Sequence, residues 1–283
     1  MKREGAGERS ESKRPTRREL LRAGAWGALG SLPLLGSAEY GTGWLELSRQ
    51  TLRLPRWHAG RTRIALIADL HAHDRTNVDI AIRAVNMVLE EKPDVIVLAG
   101  DFISYAPPDR LARLREILRP IGDSRIPAFG VLGNHDHWTG YPIEVRRHVE
   151  QAGIPVLADS TASVGDIQIV GINDALAGGY SLDRIDWNRL SRSTVCLWHE
   201  PDAVLELPKD KVSVQLSGHS HGGQICLPGG IPIHLPKGGR RFYRGYYEDA
   251  PTPLFVTRGT GTTGPNWRLF CRPEVSILDV DRA

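Results

Sequence analysis

Nine His, Asp and Asn side chains, types that bind metals, stand just behind five short apolar runs in this chain. Ile64–Ala68 leads into Asp69-Leu70-His71, and Val95–Ala99 leads into Gly100-Asp101. Ala128–Leu132 leads into Gly133-Asn134-His135-Asp136, Val195–Trp198 into His199, and Val212–Leu216 into Gly218-His219-Ser220-His221. Chance scatters His and Asp; it does not place them after one apolar run upon another. Imidazoles and carboxylates without Cys suit borderline cations such as Mn, Fe, Zn or Co, and argue against a thiolate-rich zinc centre. The set reads as one site for two metal ions.

The elements that must position these residues follow from the same runs. Short apolar stretches rich in β-branched residues read as buried strands, and ligands in α/β folds gather at the carboxyl ends of such strands. Between them, Asn77 to Glu91 carries Ile82, Val85, Val88 and Leu89 at helical spacing, with Asn77 as a candidate cap and Pro93 beyond the end. Arg110 to Leu118, Pro142 to Ala152 and Leu182 to Leu190 predict further helices. Strands alternating with helices point to a largely parallel sheet in the first half. Thr51–Leu54 reads as an edge strand. Later, Ala162–Val164 and Ile167–Val170 flank Gly165-Asp166 as a hairpin, and Leu254–Thr257 and Val275–Leu278 add two strands. The expected fold class is α/β, with two packed mixed β-sheets flanked by helices.

In order, Asp69-x-His71, Gly100-Asp101, Gly133-Asn134-His135-Asp136, His199 and Gly218-His219-x-His221 resemble the signature of the calcineurin-like metallophosphoesterases over roughly residues 62–280. The resemblance implies that Asp69, His71, Asp101 and His221 hold one ion. Asp101, Asn134, His199 and His219 would hold the other. Two cations about 3.5–4 Å apart repel, so a shared carboxylate, here Asp101, belongs between them. Asn134, a neutral ligand, leaves the centre cationic and attractive to phosphate. His135 is implied to touch the phosphoryl oxygen and aid the leaving group, as a side chain titrating near neutrality can. Asp136 would orient His135 or accept a backbone bond. The implied reaction is in-line attack on phosphorus by a hydroxide bridging the two ions.

Composition narrows the setting. With 41% hydrophobic and 24% charged residues among 283, the chain has ordinary globular usage, so one packed domain plus an extra segment is expected. The formal charge of +3 is unevenly spread: residues 1–22 hold eight Lys/Arg and four Asp/Glu, leaving 28 and 29 for the rest. The folded part is therefore nearly neutral, and no nucleic-acid partner is expected. Residues 1–41 read as a disordered basic tail followed by an export signal, and residues 42–283 as the metallophosphoesterase domain. Arg17-Arg18 with Leu20-Leu21, then the Ala/Gly/Leu-rich stretch from Ala23 to Leu35, resembles a twin-arginine signal. Gly36-Ser37-Ala38 offers a cleavage site; uncleaved, the segment would remain a membrane anchor. Engagement with the twin-arginine export machinery and a periplasmic or membrane-anchored location follow as expectations. Cys196, Cys226 and Cys271 define no disulfide or zinc framework. Cys196 reads as a small buried hydrophobe, while a bond between Cys226 and Cys271 stays open beside the reading as free thiols.

Substrate cues are weaker. The stretch after His221 carries Arg240, Arg241 and Arg244 with Phe242, Tyr243, Tyr246 and Tyr247. It resembles the exported or membrane-associated branch of the superfamily, which includes enzymes that cleave UDP-2,3-diacylglucosamine. Those arginines, with His73, are candidates for binding a phosphorylated small molecule or a lipid or other envelope phosphate. Asp174 reads as a turn residue, His137 as undecided, and His58, His148 and His234 as surface positions. The leading expectation is a phosphodiesterase or phosphomonoesterase; a lipid A precursor pyrophosphatase is the alternative. A catalytically silent metal-binding protein is the third reading, disfavoured by an intact His135.

Overall fold

Aliphatic and β-branched residues fill the central strands because both faces of those strands are covered. The computed structural model describes residues 43–105 and 111–283. The tail and signal expected over residues 1–41 lie outside the described residues. One sheet runs in the order β1 (Glu46–Leu54), β13 (Glu274–Arg282), β2 (Thr62–Ile67), β3 (Val95–Ala99) and β4 (Ala128–Val131). Its β2, β3 and β4 are parallel, and β13 enters antiparallel to β2 and parallel to β1. The second sheet runs β11 (Gly245–Tyr247), β12 (Leu254–Val256), β8 (Val214–Ser217), β7 (Thr194–Leu197), β6 (Ile167–Gly171) and β5 (Ser160–Val164). There β12, β8, β7 and β6 are parallel, with an antiparallel strand at each edge. A small hairpin pairs β9 (Cys226–Leu227) with β10 (Ile231–Pro232).

The period of two along each strand divides the core into layers. Ile64, Leu66, Val95 and Val97 point between the sheets, where they meet Ile169, Val195, Leu197, Val214 and Leu216. Ala65, Ile67, Ile96 and Leu98 point the other way, against helices α1 (Arg75–Glu90), α2 (Ala112–Asp123) and α4 (Pro142–Gln151). A one-turn helix, α3 (Asn134–Trp138), follows β4 directly. On the outer face of the second sheet, Cys196, Trp198 and Val256 pack beneath a 3₁₀ turn at Pro201–Glu206 and Phe242. The expected sandwich of two mixed sheets is present, with its α-helices on the first sheet.

Several local expectations change. The α1 cap is Asp74, whose carboxylate accepts the Asn77 N–H at 3.0 Å; Asn77 is instead buried in the first turn and bonds Thr262. Ile82 is exposed, and Ile80, Ala81 and Ala84 join Val85 and Val88 on the buried face. Helix α2 continues through Pro120 to Asp123 because Ile121 still reaches the core. The helix expected over 182–190 shrinks to a 3₁₀ turn at Leu182–Arg184. There the Trp187 indole N–H takes the Leu182 carbonyl and Asp186 accepts the Asn188 N–H, so side chains replace the helical ladder.

Truncating Leu66, wholly buried between the sheets, to Ala should cost about 2–5 kcal/mol in urea unfolding. Ile82→Ala, on the exposed face of α1, should change stability by less than about 0.5 kcal/mol. Equal losses would show that the sheet interface does not carry the core.

Candidate metal centre

Five strands end at one rim, and every predicted ligand lies just past a strand end. Asp69 and His71 follow β2, Asp101 follows β3, Asn134 follows β4, His199 follows β7, and His219 and His221 follow β8. The backbone turns sharply there. Asp69, His71, Asp101, His219 and His221 have φ of 55°, 44°, 55°, 70° and 52°, in the left-handed region that side chains other than Gly rarely adopt. That turn swings each side chain off the sheet and into the rim. Two glycines make room: a Cβ on Gly133 would sit 2.3 Å from Asp101 Oδ1, and one on Gly218 would sit 2.5 Å from Asp69 Oδ2.

The ligands gather in two groups of donor atoms able to hold metal ions. Asp69, His71, Asp101 and His221 form one, Asp101, His199 and His219 the other, and Asp101 belongs to both. Asn134 joins the second through Oδ1, 2.8 Å from His219 Nδ1. Each of three imidazoles spends one nitrogen on the scaffold. His71 Nδ1 bonds Ser104 Oγ, His199 Nδ1 bonds the Ala99 carbonyl at 2.6 Å, and His219 Nε2 bonds the Lys237 carbonyl at 2.8 Å. Such contacts fix tautomer and ring direction.

A donated proton on the scaffold side leaves the opposite nitrogen with a bare lone pair. His219 Nδ1 then faces Asn134 Oδ1, and the buried His199 Nε2 lacks a hydrogen-bond partner, 3.1 Å from Asp101 Oδ2. His71 Nε2 and His221 Nε2, 3.0 Å apart, are instead a donor–acceptor pair, because Arg268 donates to His221 Nδ1 and leaves that ring's proton on Nε2. Acceptor facing acceptor in a buried rim is unfavourable unless a cation lies between them. The donor set therefore fits a pair of metal ions.

Electrostatics divide the rings: burial opposes charge on His199, but the Asp101 and Asp69 carboxylates raise its imidazole well above the ordinary value, while the other rim histidines go the other way. Burial, reinforced by the nearby Asp101 charge, pushes the Asp69 carboxyl up to about 7. Burial also opposes charge on Asp101, but His199 and His71 beside it hold its carboxyl well below the usual range. Burial keeps His71 and His221 well below the ordinary imidazole value and His219 down to about 4, so these rings are neutral, as ligation requires.

The rim opens into a cavity of about 680 Å³. Asp101, Asn134, His135, His219 and His221 form its polar floor; Trp138, Leu176, Ile225 and Ile233 form apolar walls. His135 is half-buried, with edge contacts to His71, Tyr105 and Trp138. Asp136 does not orient it. Its two carboxylate oxygens accept the Ile103 N–H at 3.1 Å and the Gly133 N–H at 2.9 Å, stapling the β3 and β4 exits together. This is the backbone-accepting role foreseen as one alternative, and the catalytic assignment of Asp136 gives way to a positioning one.

None of the four substrate-binding candidates lines the cavity. His73 bonds the His71 carbonyl at 2.7 Å and lies 3.1 Å from Asp74. Arg240 and Arg241 offer backbone N–H groups to Asp202, and the Arg241 and Arg244 guanidiniums lie over Phe242 and Tyr243. The polar wall comes instead from Gln224, His234 and Lys237. His137 Nε2 lies 3.2 Å from Asn173 Oδ1, and Asp174 is the expected turn residue, accepting from Leu176, Ala177 and Gly178.

Arg268, fully buried, was missed because nothing in Asn266-Trp267-Arg268 marks it by type or spacing. Its guanidinium bonds the carbonyls of His221, Arg258, Gly259 and Gly261, and Gly261 N–H in turn bonds the Asp69 carbonyl at 2.6 Å. One cation thereby holds the loops behind Asp69 and His221.

Known proteins share this sequence pattern and fold. Residues 62–223 match the family described as calcineurin-like phosphoesterase. The chain is 32% identical to the uncharacterized metallophosphoesterase YkuE of Bacillus subtilis strain 168, over 94% of this chain and 98% of that protein. It is 28% identical to the phosphodiesterase YaeI of Escherichia coli K12, over 84% and 89% respectively. The crystal structure of TT1561 of Thermus thermophilus superposes with a TM-score of 0.51 at 12% identity, over 70% of this chain and 90% of that one, a likeness of fold.

Replacing the shared carboxylate, Asp101→Ala, should strip metal from both groups, whereas His71→Ala should remove about one ion per chain. Metal per chain by elemental analysis is the readout; unchanged content in Asp101→Ala would sink the shared-ligand arrangement. Arg268→Met should lower unfolding stability by at least about 2 kcal/mol, because buried carbonyls lose their donor.

Proposed function

Since this chain belongs to the calcineurin-like phosphoesterase family, we propose that it hydrolyses phosphoesters with two cations joined through Asp101. The observation that carries this reading is the convergence of five strand ends on two donor groups with one carboxylate in common, beneath a cavity that His135 faces. Asp69, His71, Asp101 and His221 would hold one ion, and Asp101, Asn134, His199 and His219 the other; Mn, Fe, Zn and Co all suit these ligands. When bound, the ions supply a positive seat for a phosphoryl group and acidify water.

The chain's own residues do the rest. Asp69 and Asp101 return two negative charges while Asn134 returns none, so the floor keeps a net attraction for phosphate. His135 Nδ1 lies 3.4 Å from Ser104 Oγ, which leaves Nε2 for a phosphoryl or leaving-group oxygen. Burial lowers the His135 imidazole below its ordinary value, so near neutral pH the ring is neutral and offers a single N–H. Lys237 and His234 stand on the cavity wall, where a second anionic group of the substrate would meet them.

The similarity to YaeI favours a diester. The tail motif, Arg17-Arg18 before an apolar stretch, supports export by the twin-arginine machinery and work outside the cytoplasm or at the membrane, on a phosphorylated small molecule or an envelope lipid. A second reading, cleavage of the pyrophosphate in a UDP-2,3-diacylglucosamine-like precursor, is favoured by the apolar walls at Trp138, Leu176, Ile225 and Ile233.

Mn-loaded protein should hydrolyse an aryl phosphodiester faster than an aryl monoester, and a chelator should abolish both activities. His135→Ala should reduce kcat about 10²–10⁴-fold while retaining metal. Hydrolysis of neither ester would overturn the reading. Activity on the lipid pyrophosphate alone would select the second one.

A further inference from the structure

Directly behind the ligand His221 lie two thiols that phosphoester chemistry does not use. Cys226 and Cys271 are free and buried. Both sulfurs lie 3.4 Å from one acceptor, the Gly222 carbonyl oxygen, and Cys271 Sγ is also 3.2 Å from the His221 carbonyl. The backbones that carry them run side by side: Ile225 and Leu269 form a parallel bridge, the Cys226 N–H bonds the Leu269 carbonyl at 2.9 Å, and the Leu269 N–H bonds the Gln224 carbonyl at 3.0 Å. Cys196 is elsewhere, within β7 under Trp198 and Val204.

We propose that Cys226 and Cys271 are a dithiol modification site, closing to a reversible disulfide that ties β9 to segment 269–271 behind His221. The oxidant is an external disulfide. One thiolate attacks it, breaking its S–S bond and releasing one thiol; the second cysteine sulfur then displaces the other half as a second thiol. Two thiol protons and two electrons leave the chain, and one S–S bond forms. Access comes through the β9–β10 hairpin, which has only two residue pairs and carries the exposed Leu227 and Ile231.

The consequence is local. The tied segments adjoin Arg268, which holds the His221 carbonyl, and Gln224 and Ile225, which line the cavity. Closing the bond restrains the unfolded chain and fixes the loop that carries one metal ligand. The bond goes beyond the proposed reaction and does not depend on it.

The test uses the full chain, reduced and then incubated with oxidised glutathione, both folded and through a cycle of unfolding and refolding. The expected product is lighter than the reduced chain by about 2 Da, the two hydrogens lost. Peptide mapping should place the link between Cys226 and Cys271, and Tm should rise by about 4 °C or more, reversibly with dithiothreitol. Cys226→Ser and Cys271→Ser should each lose the link and the Tm response, while Cys196→Ser should keep both. Wild-type protein that yields only free thiols, mixed glutathione adducts or a link to Cys196 overturns the proposal. That mass readout on the wild type needs neither activity nor a folded variant.

Discussion

The structure depends on one constraint: lone pairs and carboxylates that repel one another are buried together at a single rim. Asp69 and Asp101 are buried with His71, His199, His219 and His221 around them. Leaving such groups without a cation would cost several kcal/mol each. Everything nearby serves to keep them in place against that repulsion. Ser104, Ala99 and Lys237 each take one imidazole nitrogen, and the His219 N–H bonds the Asp69 carboxylate at 2.9 Å. The rings have no freedom to turn away.

The sandwich supplies the rigidity this requires. Two sheets meet over a dry aliphatic layer, and their parallel strands end together, so groups far apart in sequence converge without long loops. The Gly218 N–H bonds the His199 carbonyl at 3.2 Å, and the Asp69 N–H bonds the Gly100 carbonyl at 3.0 Å, which stitches neighbouring exits within each sheet. Left-handed backbone at five ligands is strain that an isolated loop would release; packed against strand ends, it persists. The absence of a side chain at Gly133 and Gly218 is part of the same arrangement, since a methyl group there would displace a ligand carboxylate.

The cavity above the rim is amphipathic. Its floor is cationic once loaded, while Trp138, Leu176, Ile225 and Ile233 present carbon. The loop after His221 builds much of that wall, and Arg268 anchors it from behind. The polar part of that wall, Gln224, His234 and Lys237, thus stands in the least regular part of the molecule.

The sequence by itself determined the central strands, the fold class and the residues that cluster at the rim, because each of those residues is adjacent in the chain to the apolar run that positions it. Burial of a strand shows as composition, and a ligand behind a strand shows as spacing; both are local. It did not determine Arg268, the backbone role of Asp136, the placing of Arg240, Arg241 and Arg244 outside the cavity lining, or the turn that replaces the helix after Leu182. Those depend on partners remote in sequence: Arg268 on carbonyls of His221 and Gly261, Asp136 on Ile103, and the arginine backbone on Asp202. Only the tertiary structure decides such contacts, because a hydrogen bond between distant segments leaves no periodic trace in either of them.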